Sequence, residues 1–142
     1  MFAWKVEDSL NNPDLCIRDK LKFTNAKIPT IASPSDVLVK VHSTSINPLD
    51  LRMVYGYGRR VLDLLDLATN HEPRITNDRY PLTLGRDFSG QVVATGPCCG
   101  DYKAGDLVFG VVEPQRSGAH AQFVTVPSHS VSYHSLELLS NI

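Results

Sequence analysis

Asn47 stands between a strand-like run, Asp36-Val37-Leu38-Val39-Lys40-Val41-His42, and a helix-like one that begins at Pro48. A side chain at such a junction is braced by regular structure on both sides and can be aimed across a cleft. From spacing alone its plainest role is to cap the helix, with Pro48 at the first helical position and Gly56 placed to stop it. Arg86 and Asp87 follow Gly85 in a tight turn, where turn or hinge contacts are the bland reading and contact with a substrate the sharper one. Tyr55 and Tyr57 flank a glycine in Val54-Tyr55-Gly56-Tyr57-Gly58. Tyrosines beside such a turn act as half-buried packing, or as a wall and hydrogen-bond donor for a flat ring.

Other chemistries find less footing. Gly56 and Gly58 lack a third glycine, because Val61 holds its place, and no strand leads into them, so they are not a dinucleotide-binding turn. The five histidines form neither an i,i+4 pair nor an H-E-x-x-H motif and read as exposed strand or loop residues. No serine lies in G-x-S-x-G. Of the three cysteines, Cys98 and Cys99 are adjacent and Cys16 stands alone, which suits reduced thiols and supplies no four-ligand zinc site. A net charge of −1 with both signs interspersed lacks the basic field that phosphate backbones require, and Arg59-Arg60 is only a local pair. No apolar run reaches the ~18–20 residues of a membrane span, and the first residues resemble neither a signal nor a transit peptide.

The elements that must position these residues follow from periodicity. The 142 residues read as one domain, 1–142. Strands are predicted over 2–6, 15–23, 36–42, 87–95, 106–112, 120–127 and 129–133. A helix is predicted from Pro48 towards Gly56 and a second, short one over 61–67. Residues 8–14 and 71–80 carry turn and loop composition. Short strands between glycines make a mainly β fold, a compact barrel or sandwich with one or two short helices.

Five blocks occur in one order: Ala3-Trp4 after Met1, Ser45-Ile46-Asn47-Pro48-Leu49-Asp50, the Pro81 to Gly96 run, Gly105-Asp106, and Ser117-Gly118-Ala119-His120-Ala121-Gln122-Phe123-Val124. Together they resemble the GroES-like catalytic domain of medium-chain dehydrogenases and reductases, in its zinc-free quinone-oxidoreductase branch. The resemblance covers nearly the whole chain. It implies a partly open GroES-like β-barrel that forms the substrate side of an NADPH-dependent oxidoreductase, with hydride passing to a quinone or enone carbonyl. In that family an asparagine in this Asn-Pro setting lies beside nicotinamide and substrate carbonyl. Asn47 is thereby a catalytic and cofactor-binding candidate whose amide donates to a developing oxyanion. Tyr57 is implied as a pocket-lining catalytic partner.

Two departures from the wider family matter. Zinc-dependent relatives carry histidine where this chain has Arg86 and cysteine where it has Asn47, and arginine does not ligate zinc, so no metal is expected. The tyrosine often found five residues past the asparagine is replaced by Arg52. Family members continue into a Rossmann domain and return a closing segment. The resemblance therefore implies a C-terminally truncated domain, inactive alone, that either forms a homo-oligomer or docks on a Rossmann-containing partner. Such relatives are mitochondrial; with no presequence in view, the cytoplasm is the other expectation. A second hypothesis is a non-catalytic binding or interaction module, a splice or truncated product whose uncovered face is apolar.

Overall fold

The computed structural model describes residues 1–7, 17–56 and 81–133. Strand β1 (Phe2–Val6) exposes Phe2 and Trp4 and buries Ala3 between them, and its last residue, Val6, is also buried. A single helical turn, α1 (Ile17–Lys20), leads into β2 (Leu21–Asn25), which pairs antiparallel with β1 from Phe2–Asn25 to Val6–Leu21. Then come β3 (Asp36–Thr44), helix α2 (Pro48–Val54), β4 (Leu82–Thr83), β5 (Asp87–Thr95), β6 (Leu107–Val111), β7 (Phe123–Pro127) and β8 (Val131–Tyr133). The strands form two sheets, ordered β2-β1-β4 and β7-β3-β5-β6-β8, with antiparallel neighbours throughout. The sheets do not close into a barrel, and the architecture is mainly β, as the sequence predicts.

Each sheet has its own core. Val37, Val39, Phe88, Val92, Val108, Val124 and Val126 fill the larger one, with Cys99 and Ala119. β-branched valines at every second position suit a pleated surface with one buried face. The smaller core joins Val6, Leu82 and Leu84 to Met53 and Val54 of α2, so the helix belongs to the three-stranded sheet. Residues 118–122 then stitch the two halves. Gly118 N–H donates to Thr83 O, His120 N–H to Leu84 O, Gln122 N–H to Phe2 O, and Val41 N–H to Gln122 O.

Two irregularities shape β3 against β5. The register steps between Leu38 and Val39 and again between Val41 and Ser43, leaving His42 as an extra residue. A bulge of this kind bends its strand. Here it precedes the Ser43–Ser89 and Thr44–Phe88 pairs and so sets how the end of β3 meets the start of β5.

The predicted strand over 15–23 is corrected: residues 17–20 are helical and the strand begins at Leu21. The reason is partner length, since β1 ends its pairing at Val6–Leu21, and residues Ile17–Lys20 take a helical turn instead. The last predicted strand likewise starts later, because residues Ser128–Ser130 form a 3₁₀ turn before β8. The short β4 was not foreseen from sequence. The predicted helix over 61–67 and the segments 8–14 and 71–80 lie outside the described residues.

Gly90 tests this packing. A β-carbon there would lie 2.2 Å from Lys40 O and 2.9 Å from Val39 Cγ1. Gly90→Ala is expected to lower stability by about 3 kcal/mol, because neither a backbone carbonyl nor a core valine can yield cheaply. Urea unfolding, read as a lower midpoint at unchanged slope, checks this.

Candidate functional site

Helix α2 begins where the chain leaves β3, and its start is fixed by an exchange between Asn47 and Asp50. Asp50 Oδ2 accepts from the Asn47 backbone N–H at 2.8 Å, while the Asp50 backbone N–H donates to Asn47 O at 3.0 Å. Pro48 occupies the first helical position, and Tyr55 and Gly56 close the helix, their N–H groups bonding to Leu51 O and Met53 O. The predicted cap and stop are thus where the sequence puts them.

The Asn47 side chain reaches away from the helix it starts. Its Nδ2 donates to Asp87 Oδ2 at 2.5 Å and to Ser45 Oγ at 3.1 Å. Ser45 Oγ in turn donates to the same Asp87 oxygen at 3.0 Å, and Thr44 Oγ1 donates to Asp87 O at 2.8 Å. Ser45, Asn47 and Asp87 therefore form one polar cluster at the seam between α2 and β5. Asn47 and Asp87 are half-buried and Ser45 is exposed, so the cluster is open to a ligand from outside.

Behind it lies a dry layer. Asp50 is fully buried, and its Oδ1 accepts from Gly85 N–H at 2.8 Å and lies 3.9 Å from Arg86 Nε. The Arg86 guanidinium is also buried. Its NH1 donates to Glu113 O at 2.9 Å and Arg116 O at 3.1 Å, and its NH2 to Thr83 O at 3.0 Å. Burial pushes the Arg86 pKa below its ordinary value, and the facing Asp50 carboxylate pulls it back up. A guanidinium committed to three main-chain carbonyls has no lone pair for a metal, so this donor set does not fit zinc. Gly85 makes the layer possible: at φ 91° it takes a conformation that favours glycine, and a β-carbon would sit 2.6 Å from His120 Cδ2.

His120, read from sequence as an exposed residue, is half-buried, and its Nε2 lies 3.1 Å from Ser45 O. A carbonyl only accepts, so the tautomer protonated at Nε2 makes this bond. His120 also lines an open groove of about 360 Å³ with Phe2, Trp4, Phe23, His42 and Thr44. Phe23 stacks on Phe2 at 5.0 Å and leans on Trp4 at 5.1 Å. Tyr55 is exposed, and Tyr57 lies outside the described residues. Cys99 is buried, its Sγ directed to Asp36 O at 3.0 Å, and loss of solvent raises its pKa; Cys98 is exposed.

Sequence reasoning singled out Asn47, Arg86 and Asp87 but missed Ser45, Asp50 and His120 as their partners. Asp50 left one signal, its position three residues past a capping asparagine. His120 left none, because its contact with Ser45 spans 75 residues.

Comparison with known proteins bears on this geometry. Residues 33–135 match the alcohol dehydrogenase GroES-like domain family. The NAD(P)H oxidoreductase RTN4IP1, mitochondrial, of Bos taurus is 37% identical over 137 residues, covering 94% of this chain and 32% of the relative. The Homo sapiens protein of the same name is 36% identical with the same coverage. Among solved structures, the quinone oxidoreductase from Coxiella burnetii superposes with a TM-score of 0.71 at 25% identity, over 94% of this chain and 36% of that one. The chain thus spans about a third of the length of the relatives it matches.

The Asn47–Asp87 contact predicts a pH-dependent variant. Asn47→Asp keeps a good helix cap but sets two carboxylates against each other. Like charges raise the folded-state pKa of such a pair, so the penalty grows as pH rises and is relieved as the pair takes up a proton. Relative to the parent chain, the variant should lose about 1–2 kcal/mol at pH 7 and recover below roughly pH 5. Urea midpoints of both proteins across that range measure the difference.

Proposed function

The chain belongs to the alcohol dehydrogenase GroES-like domain family, and on that footing we propose that it forms the substrate side of an NADPH-dependent oxidoreductase acting on quinones or enones. The observation that carries this reading is the Ser45–Asn47–Asp87 cluster, open to solvent in front and braced by a buried ion pair behind. Relatives named as NAD(P)H oxidoreductases and a structural neighbour named as a quinone oxidoreductase support it.

When bound, a reduced nicotinamide supplies the hydride. Asn47 would then lie beside the cofactor and serve as the donor that meets the acceptor carbonyl. One amide proton stays on the Asp87 carboxylate, which polarises the group, while the proton now shared with Ser45 turns to the substrate oxygen. Charge that builds on that oxygen is met by a fixed dipole, and catalysis of this kind needs no metal. Tyr57 is proposed as a further wall of the pocket. Selectivity for NADPH, the quinone or enone substrate, and a mitochondrial site of action are part of the proposal, by analogy with the relatives.

Among the described residues no glycine-rich phosphate turn accompanies the cluster, so firm cofactor binding is assigned to the part of the relatives' length that this chain does not span. The 142-residue chain alone is accordingly expected to show no NADPH oxidation at 340 nm with a naphthoquinone acceptor. A chimera in which it replaces the matching segment of the Bos taurus relative should turn over, and Asn47→Ala in that chimera should lower kcat by about a hundredfold. Turnover by the isolated chain, or a folded chimera indifferent to Asn47, would sink the proposal.

A further inference from the structure

The described residues contain a charge pair whose geometry does more than fill a core. Asp50 receives one N–H on each oxygen, from Asn47 on α2 and from Gly85 in the turn before β5, at 2.8 Å each. The two contacts use both oxygens of the Asp50 side chain as acceptors, as a carboxylate allows. An ionised, fully buried carboxylate requires a counter-charge. Arg86 lies at ion-pair distance, yet its Nε makes no hydrogen bond to Asp50 or to anything else described. Its remaining nitrogens are fixed on the carbonyls of Thr83, Glu113 and Arg116. Arg86 therefore offers Asp50 an anchored positive charge rather than a bidentate clasp.

We propose that Arg86, acting through Asp50, is a positioning residue that holds Asn47 onto Asp87. With the charge in place, one carboxylate ties the first turn of α2 to the backbone at Gly85, two residues before Asp87. The Asn47 amide and the Asp87 carboxylate are then brought together by two short spans of chain on either side of a shared anchor. Without the charge, Asp50 is a buried carboxylate met only by two N–H groups, and its link between the helix start and the turn is weakened. The positioning claim concerns the Asn47–Asp87 contact itself; its meaning for catalysis rests on the function proposed above.

The test reads the Asn47 side-chain amide directly, by ¹⁵N–¹H spectra of the labelled 142-residue chain, with the resonance pair identified by its loss in Asn47→Ala. In the parent chain the Nδ2 protons should show the downfield shift of an amide bonded to a carboxylate. Arg86→Met should move them to the free-amide position, and Arg86→Lys, which keeps the charge, should restore the shift. The double variant Asp50→Leu with Arg86→Met separates positioning from stability. Replacing a buried ion pair by apolar side chains is often neutral for folding, so its Tm should recover towards the parent while the Asn47 shift stays lost. This variant also serves if Arg86→Met alone fails to fold. An Asn47 signal unchanged in either folded variant overturns the proposal and leaves the pair a packing feature. Because the spectra need no cofactor, they stand apart from turnover: a chimera indifferent to Asn47→Ala would remove the catalytic reading and leave the positioning result intact.

Discussion

A carboxylate shut away from water is tolerable only where N–H groups and positive charge reach it, and Asp50 recruits both from opposite sides of a seam. One of its oxygens holds the beginning of α2 and the other holds the backbone at Gly85. The polar cluster in front inherits its geometry from this arrangement. Asn47 is where it is because its own N–H is bound to Asp50, and Asp87 is where it is because Gly85 is. The cost of burying the pair is the ordinary cost of removing two charges from water, which seldom favours folding by itself. What it returns is definition: one carboxylate holds two chain segments 35 residues apart.

A second buried acid repeats the theme. Asp36, at the start of β3, is fully buried, accepts from Ser33 N–H at 3.0 Å, and is paired with Arg116 at 3.0 Å. Arg116 belongs to the same loop whose carbonyls bind Arg86. The two ion pairs are therefore linked through the main chain of residues 113–116. Glu113 also meets Arg116 and the exposed His129 ring, extending the polar network to solvent. Apolar packing accounts for the interior of each sheet, whereas charge and hydrogen bonding account for how the sheets are joined.

The same division explains the site's openness. The valine-rich core needs no particular partner geometry to be satisfied, and it leaves the outer ends of β3 and β5 free to carry polar groups. Ser45, Asn47 and Asp87 are gathered there by backbone turns, a bulge at His42 and a glycine at position 85 rather than by burial of their own surfaces. A cluster supported from behind and unburdened by packing can exchange one of its hydrogen bonds for a ligand without loosening the fold.

The sequence by itself determined the existence of the larger sheet's strands though not the starts of its last two, the start and stop of α2, and the mainly β architecture. Those features rest on local rules: alternation of valines, an asparagine before a proline, a glycine two turns on. It also singled out Asn47, at a junction between strand and helix, and Arg86 and Asp87, after a glycine turn. Tertiary structure decided the rest. It gave residues 17–20 a helical turn because β1 had no more partner to offer, and it brought Asp50 to Gly85 and His120 to Ser45. Contacts across 35 or 75 residues depend on strand register and on a one-residue bulge, and register is a property of paired chains that no single segment carries.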